Sequence, residues 1–435
     1  MSLLRKAILV NSTAFICLGL GVFQAAVLSR VLGPAGIGQY AVILSALVLA
    51  GQLSSLGFPL SFLYHSQHDP ANTKVYLINT IWSMLLMGAV GGVLLTVLIY
   101  CKSSYFGEVP WFTLVAILFY VSILLQRCVA RNNLLIAIEA RRLSLMDLSA
   151  MTGAVLAILV LAGLGLLGVG QAILCFVFAA IIRASLGWFW MRRNVDFSIK
   201  PSWRINRKLG LMGVRLSWVD LMILVNAQLN ILIIKYLLDN FESVGYFSRG
   251  QRIAMLAVMA GQAVLPLLFS RWASFPEDKL AKHVEKVMRF ATTVCVIAIV
   301  GILLTGKWLI LILYGREFLP AVRPMMILVP GAVLHLLSRI FIPLLGSRGR
   351  PEFVVIVLMI AVVINAALCW LVIPTWGIAG AACASTAANI VILVLLTLIV
   401  RKKYGIRVAN CIGLNRSDIE SIVESLPKKT LWWKR

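Results

Sequence analysis

A chain of 435 residues that is 61% hydrophobic and only 13% charged is not an ordinary soluble domain, which carries roughly 25% charged residues. The mean hydropathy of +0.96 and the end-to-end recurrence of apolar runs of about 20 residues, the bilayer-crossing length, predict an all-α polytopic membrane protein. The formal net charge of +24 then points to topology and anionic lipid headgroups, and gives no reason to invoke nucleic acid.

Twelve spans are predicted, roughly 8–32, 37–64, 75–101, 110–137, 143–167, 170–192, 210–238, 244–271, 287–312, 320–346, 353–376 and 377–402. The first run continues past signal-peptide length and lacks a small-residue cleavage site, so it is read as a span. It ends in "VLGPAGIGQY". The spacing Gly33, Gly36, Gly38 matches neither a dinucleotide fingerprint nor a Walker loop, and no Lys-Ser/Thr follows. Pro34 and the glycines predict a tight hairpin between spans one and two. His65 and His68 are expected in the short loop that follows, without further ligands.

Ionisable and amide side chains inside the later spans come next. Tyr120, Arg127 and Arg131 share a face of span four, and Arg183 lies in span six. Span seven carries Arg215, Asn226 and Asn230 on one face, with Asp220. Span eight carries Arg249 and Arg252, and span ten His335, Ser338 and Arg339. Seven intramembrane arginines face only two comparably placed acids, Asp147 and Asp220. Each charge needs a wet cavity or a partner, so the interior is net positive and calls for an anionic occupant. Arginine suits bidentate capture of phosphate oxygens. Arg131, Arg215 and Arg339 lie near span ends, where snorkelling is an equal alternative. Asp220 is a candidate for a coupling cation, with pairing to an arginine as the favoured alternative. His335 reads as a hydrogen-bonded core histidine. The eight cysteines include no CxxC pair or Cys/His cluster, which argues against metal or disulfide chemistry. No nucleophile–base constellation or ATP motif is evident, so an enzyme or primary pump is disfavoured.

The loops alternate between basic and nearly uncharged. One side holds about 27 of the 40 Lys and Arg, including the linker "RRNVDFSIKPSWRINRK"; the other holds Arg30, Lys102, Lys235, Lys307, Arg316 and Arg323. That asymmetry predicts both termini on the cytoplasmic side. A single offset of 207 residues places Gly38 on Gly245, Pro59 on Pro266, Arg141 on Arg348 and Gly170 on Gly377. Two parallel repeats follow, a six-helix lobe at 1–200 ending in the basic linker and a second at 201–405, with the substrate expected between them. Gly377 and Gly380, followed by small residues, suit close helix packing. Residues 406–435 are expected to form a tail with a short amphipathic helix on the cytoplasmic leaflet.

The basic N-terminal pair, "LSRVLGPAGIGQYAV", "GFPLSFLYHS" and "PTWGIAGAACASTAANIV" resemble bacterial polysaccharide flippases. These are the O-antigen and exopolysaccharide repeat-unit translocases of the multidrug/oligosaccharidyl-lipid/polysaccharide (MOP) exporter superfamily. The resemblance implies twelve helices in two pseudo-symmetric six-helix lobes around a cationic cavity, in the bacterial inner membrane. It implies a transporter that moves undecaprenyl-pyrophosphate-linked oligosaccharide by alternating access, without a cofactor and with coupling to a proton or sodium gradient. A polysaccharide polymerase and a chain-length regulator are the implied protein partners. On the family pattern Arg215, Arg249 and Arg252 hold the pyrophosphate, with Arg183, Arg127, Arg131 and Arg339 as further candidates, and Asn226 and Asn230 meet sugar or phosphate oxygens. Twelve spans argue against the superfamily's lipid II flippases, which carry two more. The competing readings are a multidrug exporter for organic cations, which would want an acidic cavity, and a membrane glycosyltransferase or polymerase, which would want a large outer loop.

Overall fold

The computed structural model describes residues 3–137, 139–262, 277–347 and 351–405. Pro266, Arg348 and the tail at 406–435 lie outside the described residues. Within them all regular structure is helical: α1 (Leu3–Ser55), α2 (Phe58–His68), α3 (Thr73–Cys101), α4 (Ser103–Phe106), α5 (Trp111–Ile136), α6 (Ala140–Gly163), α7 (Val169–Met191), α8 (Trp203–Leu238), α9 (Phe241–Gln262), α10 (Glu277–Tyr314), α11 (Val322–Ser347) and α12 (Pro351–Tyr404).

Nine of the described helices are long and apolar enough to cross a bilayer. Two of them, α1 and α12, each contribute two crossing arms, because Gly33 (φ 65°, ψ −179°) and Gly377 (φ 56°, ψ −139°) break the helical path. Only glycine takes these angles without strain, and Pro34 restarts the second arm of α1. The more polar α9 is the twelfth segment. Gly21 and Val48 of α1 wall one cavity, although 27 straight helical residues would separate them by about 40 Å. The two arms therefore fold back on each other, as the hairpin reading of "VLGPAGIGQY" requires.

The second predicted span is shorter than expected. Leu56 (φ 42°) and Gly57 (φ 70°) both adopt left-handed backbone, so the chain turns there and α2 leaves at a new angle. His65 and His68 thus sit on a helix rather than in a loop. Helices α8 and α10 begin at Trp203 and Glu277, well before the apolar runs at 210 and 287. Hydropathy marks where a helix enters lipid, whereas the backbone hydrogen bonds continue through charged turns in water.

Close helix contact here comes from small residues, since apolar burial drives little inside a bilayer. At the end of the bundle carrying the Gly33 hairpin, a Cβ on Gly38 would lie 1.8 Å from the Phe241 carbonyl oxygen, and one on Gly245 would lie 2.1 Å from that of Pro34. The second arm of α1 and α9 meet backbone to backbone. At the opposite, basic end, a Cβ on Gly57 would fall 2.0 Å from the carbonyl oxygen of Gly213 on α8. Arg30 donates to the terminal carbonyls of Ile312 and Leu313 on α10, where cations suit the helix C-terminus. Tyr105 donates to the Leu232 carbonyl at 2.7 Å.

The basic end also has a polar clasp between the first helices and the start of α8. Asp69 accepts from Asn72 and Tyr76, each at 2.9 Å, and these bonds hold its carboxyl below the usual range. The Ser202 N–H donates to Asn79 Oδ1 at 2.7 Å, and Lys208 Nζ lies 3.5 Å from the Tyr76 hydroxyl. The His65 ring stacks on Tyr76 with centroids 5.4 Å apart. Burial, and then the nearby Lys208 charge, lower the His65 pKa from its ordinary value.

Candidate functional site

Both arms of α1, together with α6, α7, α8 and α9, enclose a cavity of about 500 Å³ in the middle of the bundle. The Gly38–Gly245 contact closes it toward the hairpin end. Its charged lining is Arg183, Arg249 and Arg252, with no aspartate or glutamate among the described residues of the wall. Arg183 Nε donates to Asp147 Oδ1 at 3.2 Å, so one arginine is anchored by an acid set behind it.

Arg249 is different. Only 7% of it is exposed, and its guanidinium carbon sits 5.4 Å from the Tyr314 ring centroid. Its Nε and one terminal nitrogen are buried with no hydrogen-bond acceptor among the described residues. A buried guanidinium without acceptors is costly unless an anion completes it. Arg252 is exposed, one turn further along α9. Its terminal nitrogen lies 3.4 Å from where a Cβ of Gly21 would stand, so the missing side chain makes room for it.

The other polar lining consists of Gln24, Tyr40, Ser45, Gln228, Ser248 and Gln251. Ser45 Oγ lies 2.8 Å both from Gln228 Oε1, across the two halves, and from the Ala41 carbonyl oxygen of its own helix. Gln251 Nε2 donates to the Ala227 carbonyl at 3.2 Å, which leaves its amide oxygen. Donors and acceptors of this kind match hydroxyl-rich ligands. Sequence reasoning missed these residues because it followed charge; an amide inside an apolar span was the available signal.

Of the predicted site residues, Arg183, Arg249 and Arg252 are brought together. Arg127 is half-buried on α5 and acts on Arg183 as a like charge. Arg131 and Arg215 are exposed toward the basic end, away from the cavity lining. Arg339 on α11 is the charge that acts on Asp220, and the two form no ion pair. His335 on α11 is a core histidine whose Nδ1 is buried without a partner among the described residues.

Asn226 and Asn230 require a correction. Both are buried between α8 and α12, where Asn365 Nδ2 donates to Asn226 Oδ1 at 3.0 Å and the Cys369 thiol to Asn230 Oδ1 at 3.2 Å. Their oxygens are used within the bundle, the Asn230 amide nitrogen is buried without a partner among the described residues, and neither residue lines the cavity. Among the described residues no group of three or more His, Cys, Asp or Glu could hold a metal.

A family model described as "polysaccharide biosynthesis protein" matches residues 27–323, which contain the cavity's charged lining. The chain belongs to this family. No curated protein matches it at significant similarity. Its fold is similar to that of the lipid II flippase MurJ in an inward closed conformation (TM-score 0.74, 14% identity, 93% of this chain and 89% of that one). It is also similar to an inward-facing multidrug resistance MATE transporter of the MOP superfamily (TM-score 0.70, 14% identity, 92% and 98%). A third similar structure is a MOP superfamily transporter from Pyrococcus furiosus, described as having a binding pocket of reverse polarity (TM-score 0.66, 14% identity, 92% and 96%). At such identity these likenesses establish the fold. This family member is a multi-pass membrane protein with the fold of these MOP superfamily structures.

Proposed function

We propose that the protein flips undecaprenyl-pyrophosphate-linked oligosaccharide repeat units from the cytoplasmic to the periplasmic leaflet of the bacterial inner membrane, for O-antigen, capsule or exopolysaccharide synthesis. The observation that carries this reading is the cavity wall: three arginines, one of them buried with free donors, and no carboxylate among its described residues. Arg249 and Arg252 take the pyrophosphate oxygens. The amides of Gln24, Gln228 and Gln251 meet sugar hydroxyls, and the polyprenyl chain stays in lipid through a gap between lobes 1–200 and 201–405.

With both termini cytoplasmic, the Gly38–Gly245 contact closes the periplasmic side. Rocking of the lobes then exposes the headgroup outward, and the affinity must fall in that state for release. Asp220 is the group assigned to a coupling proton or sodium ion. An organic-cation exporter would place acids in this cavity, and the arginines count against it.

The test is mass spectrometry of polyprenyl-linked sugars in cells lacking the gene, complemented with the natural protein or with Arg249→Gln. Accumulation of a pyrophosphate-linked oligosaccharide that stays inaccessible from the periplasm, relieved by the natural protein alone, supports flipping. Unchanged lipid-linked sugars and intact surface polysaccharide in the deletion strain sink it.

A further inference from the structure

A second cavity, of about 660 Å³, opens to the membrane between the second arm of α1, α3 and α8. Its walls are apolar, with Leu49, Leu53, Leu95, Leu98 and Leu232 among them, and they come from both halves of the chain. At the hairpin end it closes with Lys102, Ser104, Tyr105, Lys235, Tyr236 and Asp239. Lys235 is buried and ion-paired with Asp239, its ammonium 4.1 Å from the Phe241 ring centroid. That pair is neutral. Lys102 is exposed and has no ion-pair partner among the described residues, so the mouth carries one net positive charge.

The mouth lies at headgroup depth. Exposed Tyr100, Trp308, Trp370 and Trp376 ring this end of the bundle, as aromatic side chains do at a membrane interface. At the 207-residue offset the corresponding seam is lined differently. At the repeat offset, Lys102 and Lys235 become Leu309 and Leu28, and there Arg30 ties the first arm of α1 to the end of α10. The two lysines of the mouth are thus not repeated at the corresponding positions.

We propose that this groove binds an anionic phospholipid, with one acyl chain along the leucine walls and the phosphodiester at Lys102, assisted by the Ser104 and Tyr236 hydroxyls. A phosphodiester carries a single negative charge and matches the single unpaired lysine. A pyrophosphate carries more and would leave charge uncompensated, which favours a bilayer phospholipid over the pyrophosphate-linked carrier. Touching both halves, the lipid acts as a wedge in the seam. The proposal stands apart from the identity of the transported substrate.

The test is native mass spectrometry of the full chain, delipidated in detergent and titrated with phosphatidylglycerol, phosphatidylcholine or diacylglycerol. One phosphatidylglycerol should be retained more tightly than either competitor. Lys102→Gln should weaken it about tenfold, the scale of one charge-assisted hydrogen bond, and leave diacylglycerol unchanged. Leu53→Trp, which fills the groove from a side chain 56% exposed to the membrane, should weaken all three. Both residues are exposed, so neither change disturbs the packed interior. Undiminished phosphatidylglycerol binding in either variant overturns the site. Tighter, Lys102-dependent retention of undecaprenyl phosphate than of phosphatidylglycerol overturns the phospholipid assignment.

Discussion

Gly38 and Gly245, 207 residues apart in the sequence, touch each other at the hairpin end, and the residues whose atoms they would strike, Pro34 and Phe241, are separated by the same offset. A Cβ on Gly38 would meet the Phe241 carbonyl oxygen, and a Cβ on Gly245 would meet that of Pro34. The contact that closes the central cavity at the hairpin end is therefore made between positions that correspond at the 207-residue offset, as a two-fold relation between the halves predicts.

Substituting alanine for Gly38 should hold this end apart. Forcing a methyl group into a packed contact costs about 1–3 kcal/mol, enough to shift the closed–open balance by roughly tenfold or more. Spin labels flanking Pro34 and Phe241 should report a longer distance and a broader distribution. The control is Gly19→Ala, since a Cβ at Gly19 meets nothing within 4 Å. An unchanged distance in the Gly38 variant would show that the seam yields elsewhere.

Arg249→Met should separate stability from binding. Arg249 is a buried charge whose donors lack acceptors, so an apolar side chain of similar length should leave thermal stability equal or raised. Affinity for inorganic pyrophosphate should fall about tenfold or more, as expected when a charge-assisted bond is lost. Calorimetric titration and thermal unfolding in detergent read the two effects. A destabilised variant with normal pyrophosphate affinity would assign Arg249 to structure.

Asn226→Ala should show the opposite pattern. It strands the Asn365 amide in the α8–α12 seam, at a cost of about 1–3 kcal/mol, without touching the cavity. The double variant Asn226→Leu/Asn365→Leu should cost less than two separate losses, because both polar partners go together. Thermal unfolding checks the order. Pyrophosphate affinity lost with stability unchanged would return Asn226 to the binding site.

Acid should loosen the clasp at the basic end. The His65 pKa is lower in the folded protein, through burial and Lys208, so folding favours the neutral ring. That contribution is complete above the unfolded value of about 6.5 and declines as pH falls below it. Thermal unfolding at pH 8 and pH 5.5 should differ more for the natural protein than for His65→Gln. Equal pH dependence in the two would place the sensitivity elsewhere.

The twelve segments and the Gly33 break were legible because each depends on local composition or backbone need. So was the positive interior, since charges in apolar helices are conspicuous. Which side chains meet in the cavity was not. Gln228 stands two positions from Asn226, about 200° around α8; one faces the cavity and the other faces α12. Only the rotation of α8 against its neighbours decides that, and helical spacing fixes relative faces without fixing the rotation. Arg215, grouped with Arg249 and Arg252 on the family resemblance, lies exposed toward the basic end, where snorkelling is the alternative reading. The early start of α8 escaped because a run such as "RINRK" reads as a linker until packing extends the helix through it.

The break at Gly33 lacks a loop, and this has a mechanical consequence. Both arms of α1 line the central cavity, joined through one glycine with no slack to absorb a displacement. The arms must move as a bell crank: tilting one about the joint drives the other, so a push felt at Gln24 is delivered to Tyr40 without play. Lengthening that joint by a few residues would uncouple input from output while leaving both arms folded.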